Sequence, residues 1–165
     1  MVTGASSGIG LAIALALAAP DVTLCLVGRR QQVLEGVAAK ARAKGCRALA
    51  YPLDLSVDRD ISKLAANLRR DVETLDILVH SAGVISIGSL ESDPVDRLDW
   101  QYRTNVRAPY ALTQALLPML KSSKGQVVFI NSLAGLSAHA GQAQYAASKH
   151  ALKAMADSLR EEVKT

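Results

Sequence analysis

The sequence predicts an α/β fold, a parallel sheet with helices on both faces, and three observations predict it. Short apolar runs alternate along the chain with longer segments of helical period. The runs are continuous in apolar residues instead of alternating with polar ones, the pattern of strands buried on both faces. A glycine-rich turn close to the start then leads directly into an Ala- and Leu-rich helix. Strands joined through helices are βαβ units, and their right-handed crossovers produce a doubly wound parallel sheet.

Taken in order, Met1, Val2 and Thr3 are the end of a first strand, and residues 9–19 carry the first helical period. Residues 22–27 are a β-branched and apolar strand closed by Gly28, followed by a helix over 31–44. Strand 47–51, helix 57–70 and strand 75–79 continue the alternation, and an ordinary Gly- and Ser-containing loop covers 81–93. Residues 95–121 are helical in period but contain Pro109 and Pro118. Proline lacks an N–H and crowds the preceding turn, so a break or turn is expected before Pro109. Gly125 introduces strand 126–130, and the last helix spans 142–163. With no internal repeat, low-complexity tract or linker, residues 1–165 read as a single domain.

Composition narrows the function classes. The chain has 165 residues, 50% apolar and 21% charged, as expected for one soluble globular domain. A domain near this size buries roughly 68–70% of its unfolded surface, enough for a core. The longest unbroken apolar stretch, residues 11–20, falls short of the about 20 residues that cross a bilayer, so no membrane partner is expected. Gly and Ser arrive too early for a secretory leader, which makes a cytoplasmic chain the expectation. Cys25 and Cys46 sit in or beside apolar runs and read as buried reduced thiols. Nothing has metal-ligand spacing. Arg29, Arg30, Lys40, Arg42, Lys44 and Arg47 cluster within a net charge of +4, but with one Trp, one Phe and four Tyr the chain lacks the aromatic interleaving of a nucleic-acid surface.

Two constellations carry chemistry. Gly4, Gly8 and Gly10 stand between a strand and a helix, the context of a dinucleotide turn. Gly4 permits the tight turn, Gly8 lets backbone approach a pyrophosphate, and Gly10 allows close packing of helix on strand. The helix start offers unpaired N–H groups and the positive dipole end to an anion. A glycine turn without a ligand remains the alternative. The second constellation is Tyr145 with Lys149, at i and i+4 on one helix face. A phenol is a feeble base at neutral pH, and a neighbouring cation favours its ionised form. Ser132 follows the fifth strand, where loops line the ligand crevice of such sheets. Beyond the second strand come Arg29 and Arg30, where a carboxylate would repel a 2′-phosphate. Their planar donors favour NADP over NAD, unless they merely cap the loop in solvent.

Thr3-Gly4-Ala5-Ser6-Ser7-Gly8-Ile9-Gly10, Asn105, Ser132 and Tyr145-Ala-Ala-Ser148-Lys149 together resemble the active-site layout of short-chain dehydrogenases/reductases, in the branch of shorter members. The serine-to-tyrosine spacing of that family is kept, and the resemblance covers the entire chain. It implies a Rossmann-like sheet of order 3-2-1-4-5 with later strands missing. It also implies an NAD(P)-dependent oxidoreductase that moves hydride between nicotinamide and a carbonyl or secondary alcohol. The resemblance makes Ser132 the donor to the substrate oxygen and Tyr145 the general acid/base. Lys149 binds the nicotinamide ribose, and Asn105 holds a proton-relay water. Ser6, Ser7, Ile9 and Leu55 fall in its cofactor motifs, Asp54 is its adenine contact, and Ala82 and Gly83 line the cofactor's path. Asp54 read by itself is equally a turn or N-cap aspartate. Where the family usually has Asn-Asn-Ala-Gly, this chain has His80-Ser81-Ala82-Gly83, and His80 is expected to be a structural donor.

A homodimer or homotetramer is implied on the same basis. Because so little precedes the glycine turn and the family's substrate-selecting residues lie after the Tyr-x-x-x-Lys helix, the chain is expected to be incomplete at both ends, poorly stable or inactive. The alternatives are a nucleotide-binding regulatory protein without turnover and an inactive fragment. A Ser-His hydrolase using His139 or His150 is set aside, since no Gly-x-Ser-x-Gly elbow surrounds Ser132.

Overall fold

The computed structural model describes residues 1–164; Thr165, the last residue of the expected domain, lies outside them. Among the described residues five strands form one sheet in the order β3-β2-β1-β4-β5. They are β1 (Val2–Thr3), β2 (Thr23–Gly28), β3 (Arg47–Pro52), β4 (Ile77–His80) and β5 (Gln126–Phe129). Every pairing is parallel, with Val2 beside Leu26 and Val79, Leu24 beside Ala48, and His80 beside Phe129. The expected strand order is therefore the observed one. It reverses direction at β1, which puts a crevice between β1 and β4 at the carboxyl ends of the strands.

Alternation along the strands divides the core into two layers. Val2, Leu24, Leu26 and Val79 pack against α1 (Gly8–Leu17) and α2 (Gln31–Arg42), together with Ala48 and Cys46. Met1, Cys25, Val27, Tyr51 and Leu78 face the other way, onto α3 (Asp58–Asp71) and α5 (Ala108–Ser122). Full burial of side chains such as Leu26 and Leu78 is worth roughly 1.5–3 kcal/mol each. On the outer strand β5, Val127 joins the second layer while Val128 is exposed on the opposite face. Met1 N donates to Ile77 O at 2.6 Å and extends the pairing of the two-residue β1.

The long helical stretch corrects one expectation. No break precedes Pro109. Instead α4 (Val95–Tyr102) passes into a π-helical turn, Arg103–Arg107, and then straight into α5, where Pro109 is the second residue. The wide turn closes with Ala108 N–H donating to Arg103 O, so the proline's missing donor falls where the ladder has already shifted register. Pro118 likewise lies inside α5 without ending it. The first helix does stop early, at Leu17, because Ala18 is already extended. The last helix, α6 (Ala143–Glu162), lies against α4 and the π turn.

Candidate active site at the carboxyl ends of the strands

The glycine turn joins β1 to α1. Gly4 has φ +66°, and a Cβ there would lie 2.8 Å from Ala82 Cα and N, so the turn touches the segment that leaves β4. Thr3 ties the same two pieces together. Its hydroxyl donates to Val79 O at 3.3 Å and accepts from Ser81 N and Ala82 N, both at 3.1 Å. Gly10 was expected to pack helix on strand; its hypothetical Cβ would overlap Gly4 O, so it packs on the turn that follows the strand. Gly8 differs from both, with φ +55° and open space where a Cβ would be. Gly8 and Ile9 are exposed, Ser7 gives α1 no side-chain cap, and the first-turn N–H groups have no intrahelical partners. A positively polarised, unobstructed cradle results, which suits an anion.

Ser6 stands beside the end of β2, since a Cβ on Gly28 would meet its side chain at 3.3 Å. Arg29 and Arg30 follow there, exposed, and neither is in an ion pair among the described residues. Asp54, half-buried, accepts from Ser56 N at 2.9 Å, so the turn reading is realised; the N-cap of α3 is Val57 instead. The side chain of Leu55 is buried in the core.

The remaining candidate residues come from the segment after β4, the π turn, the segment after β5, and α6. Tyr145 is in the first turn of α6, and Lys149 follows one turn later with its ammonium 5.8 Å from the phenol ring centre. Lys149 is buried, which pushes its pKa down, and its Nζ donates to Ile130 O at 2.9 Å. Two residues beyond Ile130, Ser132 caps the 3-10 turn Leu133–Gly135 by accepting from Ala134 N at 3.2 Å. Asn105 is buried in the π turn, where its Oδ1 accepts from Val84 N at 2.8 Å. Its Nδ2 donates to Val84 O and to Ser148 Oγ. Gly83 completes the cluster, for a Cβ on it would lie 3.4 Å from Asn105 Oδ1 and 3.8 Å from Lys149 Nζ.

His80 does not join them. It is buried, its Nε2 is 2.8 Å from Thr113 Oγ1, and its ring stacks on Phe129 at 5.0 Å. Burial without a counter-charge pushes its pKa down to about 3, so it is neutral at physiological pH. His150 contacts Ala146 O of its own helix, and His139 is exposed. No metal-binding group exists among the described residues, and none of their helices is long and apolar enough to cross a membrane. The cavity of about 830 Å³ lies elsewhere, between the π turn, α5 and α6, and includes none of Ser132, Tyr145 and Lys149.

Sequence reasoning gave little or no weight to three contributors. Thr3 holds the crevice together through its hydroxyl, Ser148 donates to Tyr145 O at 2.8 Å beneath Asn105, and Gln101 is completely buried. The available signal for Gln101 was its place one helical turn before Asn105.

A sequence model described as short chain dehydrogenase matches residues 1–165. A short chain dehydrogenase of Pseudocercospora fijiensis is 32% identical over 99% of this chain and 54% of its own length. The ketoacyl reductase HetN of Nostoc is 34% identical over 99% of this chain and 57% of its own. The chain thus spans little more than half the length of these curated relatives. The crystal structure of a metagenomic short-chain oxidoreductase in complex with NADP superposes with a TM-score of 0.93 at 35% identity, covering 98% of this chain and 74% of that one. Fold, glycine turn and a match along the whole sequence agree, and the chain belongs to the short-chain dehydrogenase family.

Proposed function

We propose that residues 1–165 form the dinucleotide-binding and catalytic part of an NADP-preferring oxidoreductase that interconverts a small-molecule carbonyl and a secondary alcohol. The observation that carries this reading is the approach of Asn105 and the buried Lys149 to Gly83, with Lys149 also beside the Tyr145 ring and bonded to Ile130 two residues before Ser132. The residues present fit the cofactor: the N–H groups at the start of α1 face a pyrophosphate, Ser6, Ser7 and Ile9 border it, and Arg29 and Arg30 receive the 2′-phosphate. Asp54 retains acceptor capacity for an adenine amine, and Ala82 and Gly83 leave room for the path along β4. A relative crystallised with NADP supports the same choice; NAD is the weaker candidate.

When bound, the nicotinamide supplies or accepts hydride, and the protein handles the proton. Ser132 Oγ donates to the substrate oxygen, and the Tyr145 hydroxyl gives its proton as that oxygen becomes an alkoxide, or takes it in the reverse direction. Lys149 places positive charge beside the phenol and reaches the nicotinamide ribose, so cofactor orientation and proton transfer depend on one side chain. Asn105 fixes the backbone at Val84 and, in this reading, holds a proton-relay water. A homodimer or homotetramer belongs to the same reading.

The test is NADPH consumption against a panel of ketones, aldehydes and 3-oxoacyl thioesters, with NADPH affinity measured separately by fluorescence. Tyr145→Phe should lower kcat by about 10²–10⁴-fold and leave the affinity for NADPH within a factor of about two. Binding without consumption of any carbonyl, in this chain and in one extended at both ends, would replace this reading with that of a nucleotide-binding regulatory protein, and consumption by the extended chain alone would make residues 1–165 an inactive fragment of the enzyme. Undiminished turnover in the variant would remove Tyr145 from the mechanism.

A further inference from the structure

Gln101 has no exposed surface, although it is a polar residue on a helix. Both ends of its amide are used. Oε1 accepts from the backbone N–H of Ser86 at 3.1 Å, and Nε2 donates to Gln144 Oε1 at 3.0 Å. Asn105, one turn further on, does the equivalent: it holds Val84 through both backbone groups and reaches Ser148 on α6. The two contacts form parallel rungs. Residues 101 and 105 are i and i+4 on one helix, 144 and 148 are i and i+4 on the other, and 84 and 86 are i and i+2, on the same side of the connecting segment. Tyr145 lies between the two α6 attachment points, and Ser148 fixes its carbonyl.

Resting on the oxidoreductase reading above, we propose that Gln101, with Gln144, is a positioning residue for the reaction. It clamps the segment after Gly83 to the first turn of α6, and so sets where the Tyr145 hydroxyl stands relative to Ser132 and the nicotinamide side of the crevice. Three features favour this over a filler role. An amide in a fully buried position is costly unless both of its ends are bonded, and here both are. The partners are the two pieces that must be held in register, one on the cofactor side and one bearing the acid/base. The clamp is neutral, so it holds its two partners without placing a charge in a buried position. Glycine at 88 extends the same connection, its N–H donating to Gly141 O at 3.0 Å ahead of α6.

The experiment uses the chain extended at both ends with Gln101→Met, which keeps length and removes both hydrogen bonds, Gln144→Met, and the double variant. Amide hydrogen exchange at Ser86 should accelerate at least about fivefold in Gln101→Met, the worth of one hydrogen bond near 1 kcal/mol, while amides of β2 and β3 keep their protection. Turnover should fall roughly ten- to hundredfold, as small misplacements at reacting atoms do, with NADPH affinity unchanged. The losses in the two single variants should not add in the double. Unchanged Ser86 exchange, additive losses, or a fall in turnover matched by equal losses of cofactor affinity and of unfolding midpoint would each overturn the clamp. Exchange needs no turnover. A wild-type protein that reduces no carbonyl even when extended at both ends would sink the oxidoreductase reading and the positioning role that rests on it; normal turnover with unchanged exchange would sink the clamp alone.

Discussion

Lys149 illustrates how a single residue is tuned by where its neighbours are. Burial pushes its pKa down, while its ammonium donates to the carbonyl of Ile130. Arg29 is the opposite case, a cation in open solvent. Under the proposed function, Arg29→Ser should weaken NADPH roughly tenfold, about one charge-assisted hydrogen bond, and NADH hardly at all. The wild-type preference should also shrink at high salt. Equal losses for both cofactors, by fluorescence titration, would mean that Arg29 does not read the 2′-phosphate. His80 gives a prediction about pH. Its pKa falls from 6.5 in the unfolded chain to about 3 in the folded one. Between those values the unfolded state binds the extra proton, so stability is complete above the upper value and is lost as pH falls toward the lower. His80→Asn should therefore flatten the acid limb by about 1.4 kcal/mol per pH unit in denaturant titrations. An unaltered limb would assign the acid sensitivity to carboxylates such as Asp58 or Asp71, whose pKa values are held down mainly by Arg107 and Arg70. The neutral, structural histidine was legible in sequence, because a lone His inside an apolar strand has no other economical place. Gln101 was not: on a helix of mixed character a glutamine reads as solvent-facing, and only the arrival of Ser86 and Gln144 from distant sequence makes it interior.

The first element of the site separates two uses of glycine that sequence alone treats alike. At Gly10 any side chain would overlap the carbonyl of Gly4, whereas at Gly8 space is free and only the left-handed φ resists substitution. Gly10→Ala should cost roughly 3 kcal/mol through overpacking and impair the fold. Gly8→Ala should cost about 1 kcal/mol from backbone strain while sharply reducing NADPH binding, because the methyl group would enter the anion cradle. Thermal melting with and without NADPH distinguishes the two, and similar melting losses for both variants would contradict the assignment. The π turn was the element least legible in sequence. Pro109 signals a break by its local chemistry, and the alternative, a widened turn that absorbs the missing donor, depends on Asn105 being drawn inward by Val84 and Ser148. The strands, by contrast, were readable to within two residues, because runs such as Leu24 to Val27 have apolar side chains for both layers.

At the scale of the whole molecule, strand order followed from the βαβ alternation together with the family resemblance, since neither periodicity nor composition specifies which strands are neighbours. The assignment of helices to the two faces then depends on alternate residues of the same strands. That division distributes the thiols in a useful way. Cys25 belongs to the layer under α3 and α5, Cys46 to the layer under α1 and α2, and both are buried and unpaired. Burial also raises the pKa of Cys25, which keeps it in the unreactive thiol form. The chain therefore contains a separate chemical clock for each side of its sheet. Under pulse labelling with a maleimide, read by mass spectrometry after proteolysis, both cysteines should be modified at a common rate if the sheet opens as one cooperative unit. Should Cys46 react markedly faster, the α1 and α2 side would be shown to loosen first, with the proposed dinucleotide cradle among the earliest parts to go.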